Sequence, residues 1–204
     1  MSKNRFSVVL NHFKRVDPLI YVVMKDIDFE KWFEDDKTTY FESLCRSIVG
    51  QQLSGKAASA IYKKFSSLLK DKVTPDRVLK IEDQEYRDGG LSWAKIKYIK
   101  DLAQKTKSKE LQLENIHELE NLKVSEELVK VKGIGPWTAE MFLMFTLKRE
   151  NVFSYGDLGL KNGLIKVYKM KDLSKPKIDK IIKRWEPYKT FGSIALWHSL
   201  EQKN

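Results

Sequence analysis

Apolar residues recur at three- and four-residue intervals along nearly the whole chain, the spacing that lines one face of an α-helix. Between Thr39 and Gly50 the residues Phe41, Leu44, Cys45, Ile48 and Val49 fall on one stripe. After Ser54, a residue type that caps helix N-termini, Ala57, Ala58, Ile61, Phe65 and Leu68 repeat the pattern. Asp17-Pro18, Thr74-Pro75 and Ser92-Trp93 read as further starts, and the first of these helices is expected to run through Met24. The Ser92 helix carries Ile96, Ile99, Leu102 and Ala103 inward. Later helices are predicted from Pro136 to Lys148, from Leu158 to Tyr168, after Ser174 and beyond Pro187. No run alternates as a half-buried strand would, so the pattern predicts an all-α protein of about ten helices.

The 204 residues suffice for one domain or two small lobes with a sizeable core. Thirty-eight basic against 28 acidic side chains leave a net charge of +10, an excess that favours a polyanionic partner, nucleic acid first. Many individual lysines also serve as solvated helix faces, so charge fixes the partner class and nothing finer. The single cysteine, Cys45, lies in an apolar stripe and is expected to be a small buried hydrophobe. One cysteine excludes an intrachain disulfide and a cluster held by four thiolates. His12, His117 and His198 are too scattered for zinc-ligand spacing. No stretch approaches the ~18–20 apolar residues of a membrane span, and none resembles a signal peptide. The expectation is a monomer without a membrane partner, intracellular, and in the cytoplasm or nucleoid if the source is prokaryotic.

The densest chemistry lies between Leu128 and Asp157. Leu128-Val-Lys-Val-Lys-Gly-Ile-Gly-Pro-Trp-Thr-Ala139 joins two helical patterns through a Gly-x-Gly turn. Gly133 and Gly135 can take the left-handed angles that a tight reversal needs, and Pro136 suits the first position of the next helix. The unpaired N–H groups and positive dipole end of that helix suit a phosphate. Asp157 follows 22 residues after Gly135, about one helix and one loop later. Taken alone, the turn also fits an ordinary glycine C-cap, and Asp157 fits a helix N-cap.

Gly133-Ile-Gly-Pro-Trp-Thr-Ala139 resembles the hairpin of the helix-hairpin-helix DNA glycosylases. Gly156-Asp-Leu-Gly-Leu160 resembles the catalytic aspartate segment of their alkylpurine-removing branch, the 3-methyladenine DNA glycosylase II group. Three further segments match that branch in order. Ile48-Val-Gly-Gln-Gln-Leu-Ser54 is similar to its DNA-wedge loop, Gly90 to Ile99 to the segment leading into the long helix before the hairpin, and Arg184 to His198 to its C-terminal helix.

The resemblance implies a single catalytic unit over 1–204, with two helical lobes flanking a DNA-binding cleft. A central lobe of 37–148 carries the helix-hairpin-helix at about 125–148, and a terminal lobe combines 1–36 with 149–204. It implies Asp157 as the catalytic carboxylate and Trp137 and Trp197 as walls of the base pocket. Met141 stands where the related pocket has a tyrosine, and Tyr155 is the candidate replacement ring. Gln52, with Leu53 beside it, takes the wedge position, and Gly133 and Gly135 the phosphate contacts. Lys132 replaces the family's usual proline and either alters the turn's rigidity or adds a phosphate contact. The main-chain carbonyls of Val129, Val131 and Ile134 take the place of a monovalent cation site; no other cofactor is implied.

Cleavage of a purine's glycosidic bond passes through a positively charged sugar, which a nearby carboxylate stabilises. An alkylated purine is already cationic and leaves with little acid assistance, so one carboxylate suffices. Relatives that also cut the strand place a Schiff-base lysine where this chain has Trp137, so the expected activity is monofunctional. The implied substrate is 3-methyladenine or 7-methylguanine in duplex DNA, flipped out and excised to leave an abasic site for base excision repair. The alternative is a non-catalytic helix-hairpin-helix protein that binds damaged or bent DNA, which would not need Asp157, Trp197 or the wedge loop.

Overall fold

The computed structural model describes residues 3–34 and 38–201, which form 13 α-helices and contain no strand. Contacts divide the chain into a terminal unit, Met1–Asp35 with Leu143–Asn204, and a central unit, Asp36–Phe142. The first crossing, placed at 36/37 by the sequence reading, lies outside the described residues. The second lies at Phe142/Leu143, six residues ahead of the expected 148/149. Its position follows from packing, because the helix after the hairpin does not run unbroken to Lys148.

In chain order the helices are α1 (Lys3–Val16), α2 (Pro18–Met24), α3 (Phe29–Trp32), α4 (Tyr40–Gly50) and α5 (Gly55–Leu68). They continue with α6 (Pro75–Lys80), α7 (Asp83–Asp88), α8 (Trp93–Lys107), α9 (Asn121–Leu128) and α10 (Pro136–Met141). The last three are α11 (Leu158–Tyr168), α12 (Lys175–Ile182) and α13 (Lys189–Glu201). The predicted starts at Asp17, Thr39, Thr74 and Ser92 are all side-chain caps; Thr39 Oγ1, for example, accepts the Glu42 N–H at 3.2 Å. Ser54 and Ser174 adopt extended cap backbones without a side-chain bond, so at these two starts backbone geometry alone opens the helix. Of the longer helices, α1 was not among the predicted starts.

The helix predicted from Pro136 to Lys148 shortens to α10 and continues as a π-helical turn, Phe142–Thr146. Leu143 and Met144 are buried within that turn, and the Leu143 carbonyl accepts the Arg149 N–H at 2.9 Å. Such turns carry one residue more per hydrogen-bonded ring, which a helical periodicity of 3.6 does not reveal.

In the central unit the predicted α4 stripe of Phe41, Leu44, Cys45, Ile48 and Val49 is buried, as are Ile96, Ile99, Leu102 and Ala103 of α8. Of the residues assigned inward on α5, Phe65 is fully buried and the rest are partly covered. The terminal unit packs α1 and α2 with α11, α12 and α13 around Phe13, Ile20, Leu160, Trp185, Phe191 and Ile194. A side-chain carbon on Gly163 of α11 would lie 2.7 Å from Leu196 Cβ, so glycine there lets α11 and α13 approach closely. At the base of this core, buried Asp17 caps α2 and accepts hydrogen bonds from Tyr168 Oη at 2.8 Å and Trp185 Nε1 at 2.9 Å. Among the described residues no helix is long and apolar enough to cross a membrane.

Candidate active site

In the central unit the reversal between α9 and α10 is built on Gly133, whose φ is +80°. A Cβ at this position would fall 2.1 Å from Cδ2 of the Tyr98 ring, so both backbone angle and space demand glycine. Gly135 differs from expectation. Its φ of −98° and ψ of 177° are ordinary extended backbone, and a Cβ there would meet nothing within 4 Å. It serves as the N-cap of α10, ahead of Pro136, leaving Gly133 alone to make the left-handed turn. Val131 and Ile134 anchor the turn inward, while Val129 is half exposed. The Val131 carbonyl accepts the Ile134 N–H at 3.1 Å, which leaves that oxygen a second lone pair.

Asp101 of α8 fixes the start of the turn. Its Oδ2 accepts the Lys132 backbone N–H at 2.9 Å, and its Oδ1 lies 3.7 Å from Lys132 Nζ. The Lys132 side chain is largely exposed, so this ion pair contributes little to stability. Lys132 therefore anchors the start of the turn through its N–H, a donor that a proline would lack.

The predicted wedge loop follows α4. Gln52 is exposed and left-handed, with φ +58°, and Leu53 is partly buried. Gln52, Leu53, Gly133, Trp137 and Met141 line one recess of about 750 Å³, together with Ser47, Gln51, Lys95 and Tyr98. Trp137 is 47% exposed, unlike a core tryptophan.

In the terminal unit Asp157 is 8% exposed and stands at the N-terminus of α11. Its Oδ1 accepts the Leu160 N–H at 2.7 Å and the Trp197 indole N–H at 2.9 Å. The carboxylate is thus a helix cap, held from a second direction by an aromatic donor on α13. Gly159 makes the second bond possible, because a Cβ there would lie 2.8 Å from both Cδ1 and Nε1 of Trp197. Trp197 also packs at 5.8 Å from the Phe145 ring. Tyr155 is engaged elsewhere: its hydroxyl bonds Asp179 of α12, and Lys175 Nζ sits 4.8 Å from its ring centroid. Burial first, then the Asp179 carboxylate, raises the Tyr155 pKa.

Sequence reasoning missed Gln51, Lys95, Tyr98 and Asp101. The last three lie three residues apart on α8, one face of a helix whose apolar face the periodicity did identify. That spacing was the available signal, although nothing local shows that this polar face meets the hairpin.

These features define a class. The model of the HhH-GPD superfamily base excision DNA repair proteins matches residues 45–187, and the chain belongs to that superfamily. DNA-3-methyladenine glycosylase 1 of Schizosaccharomyces pombe is 32% identical over 169 residues, covering 80% of this chain and 72% of the relative. A solved DNA-3-methyladenine glycosidase from Bacillus halodurans shares 35% identity with a TM-score of 0.78, over 91% of this chain and 87% of that one. The S. pombe 3-methyladenine DNA glycosylase Mag1, solved in complex with abasic DNA, shares 26% identity with a TM-score of 0.79, over 95% and 97%. The chain spans 59%, 72% and 65% of the length of the first three curated relatives it matches.

Proposed function

We propose that this protein is a monofunctional DNA glycosylase that hydrolyses the N-glycosidic bond of alkylated purines, such as 3-methyladenine and 7-methylguanine, in duplex DNA. The observation that carries this reading is the Asp157 carboxylate, buried yet fixed by two donors on one oxygen. The relatives named as 3-methyladenine glycosylases and the relative solved on abasic DNA support the substrate class. In this reading the protein acts as a monomer and the target nucleotide is flipped out of the stack. Trp137, Trp197, Tyr155 and Met141 are the residues assigned to the cationic base, the aromatic ones by stacking and cation–π attraction of ~0.5–2 kcal/mol per contact. As the base departs, Asp157 stabilises the positive charge on the sugar and orients water toward it. The N–H groups at Gly133, Gly135 and Trp137, with Lys132, grip the backbone phosphates. The carbonyls of Val129, Val131 and Ile134 would hold a monovalent cation, which hard oxygen donors suit.

An end-labelled duplex carrying one alkylated purine tests the reaction type. The strand should remain intact after incubation and break only under hot alkali, as an abasic product does. Direct strand breakage, with a protein–DNA adduct trapped by borohydride, would contradict the monofunctional reading.

Two further results are expected. Trp197→Phe keeps the ring but removes one of the two Asp157 Oδ1 donors, so single-turnover base release should fall about tenfold while DNA affinity holds. An unchanged rate would remove the positioning role of the indole. Gln52→Ala should weaken binding to an abasic-site duplex more than to undamaged DNA in fluorescence-anisotropy titrations. Equal losses on both would remove the wedge role.

A further inference from the structure

Gln52 carries a side chain, yet its φ of +58° lies in the left-handed region, where a Cβ crowds the backbone. Such a conformation persists only when its surroundings over-determine it. Here they do. Lys95 Nζ, rising from the first turn of α8, donates to the Val49 carbonyl at 2.8 Å and to the Gln51 carbonyl at 2.6 Å. Those oxygens flank the end of α4, where an ammonium is also favoured by the negative helix terminus. The Gln51 side chain runs the other way and donates Nε2–H to the Gly133 carbonyl at 2.8 Å. The Leu53 N–H closes the loop on the Gly50 carbonyl at 3.2 Å. Lys95 is partly buried, and that burial lowers the pKa of its ammonium, as expected of a cation held for structure rather than displayed to solvent.

We infer that Lys95 and Gln51 form a latch that holds Gln52 in its left-handed conformation and ties its loop to the hairpin turn, which makes them positioning residues for the entry of Gln52 into DNA. The inference rests on the wedge role given to Gln52 above. Its physical content is pre-organisation: without the latch the loop relaxes, and DNA binding must restore the conformation at a cost in affinity. The cost falls only on complexes that use the wedge.

A double-mutant cycle in the full chain tests the latch, with dissociation constants measured on an abasic-site duplex and an undamaged duplex. Lys95→Met should weaken abasic-duplex binding about tenfold and undamaged-duplex binding less than about twofold. Gln51→Ala should act in the same direction and carries the same test if Lys95→Met fails to fold. Lys95→Arg, which keeps donors for both carbonyls, should restore most of the affinity. Combined with Gln52→Ala, either latch variant should add little, because the wedge contact is already lost. Additive losses would overturn the inference while leaving the wedge intact. Equal losses on both duplexes would instead make Lys95 a direct phosphate contact and overturn it too. If Gln52→Ala alone shows no selective loss, the wedge reading fails and the latch fails with it.

Discussion

Asp157→Asn is expected to abolish base release while leaving fold and DNA affinity nearly intact. Asparagine caps helices about as well as aspartate, and its Oδ1 can still accept both the Leu160 N–H and the Trp197 indole N–H. The stability change should therefore stay within about 1 kcal/mol. What disappears is the negative charge that the proposed mechanism sets against the sugar as the glycosidic bond opens. Removing a single electrostatic stabiliser typically costs about 10²–10³ in rate, and here it is the only carboxylate assigned to the reaction. Thermal melts, anisotropy titrations and single-turnover release on the same preparation separate the two jobs. A variant that melts normally and releases base at the wild-type rate would leave Asp157 as a cap and nothing more.

Gly133→Ala is expected to give the largest structural effect among conservative substitutions in the hairpin. The added Cβ meets the Tyr98 ring at 2.1 Å and must occupy φ +80°. Overpacking and left-handed strain together should destabilise the central unit by roughly 2–4 kcal/mol. DNA affinity should fall more than tenfold, since a displaced turn also moves the Gly133 carbonyl that Gln51 grips. Adding Tyr98→Ala removes the clash but not the backbone strain, so only part of the loss should return. Gly135→Ala serves as the contrast. Its backbone is extended and its surroundings are open, so it should cost less than about 1 kcal/mol. Equal effects at the two glycines in denaturant melts would contradict the roles assigned to them.

The two glycines show how far the sequence carries. A Gly-x-Gly motif announces a tight turn, but not that the first glycine is also required by the Tyr98 ring, thirty-five positions earlier, which leaves no room for a Cβ. Helix starts at Asp17, Thr39, Thr74 and Ser92 were legible because capping is local: the side chain bonds an N–H two or three residues on. The cap at Asp157 was legible by the same local rule. The Trp197 bond to it was not, because α11 and α13 meet only after both have packed, and Gly159 and Gly163 permit that approach. Tyr155 shows that proximity in sequence does not disclose a side chain's partner. Two residues from Asp157 in sequence, it turns its hydroxyl to Asp179. The three-residue spacing of Lys95, Tyr98 and Asp101 marks a polar face on α8 but not what it meets, and the π turn after α10 has no periodicity to betray it.

The most direct test of the central claim is chromatography of the purines freed from methylated duplex DNA by the wild-type protein. Release of 3-methyladenine or 7-methylguanine, with normal bases retained in the duplex, is the result expected. DNA binding without release of either base would contradict an excision enzyme for these lesions and favour a protein that only binds damaged DNA.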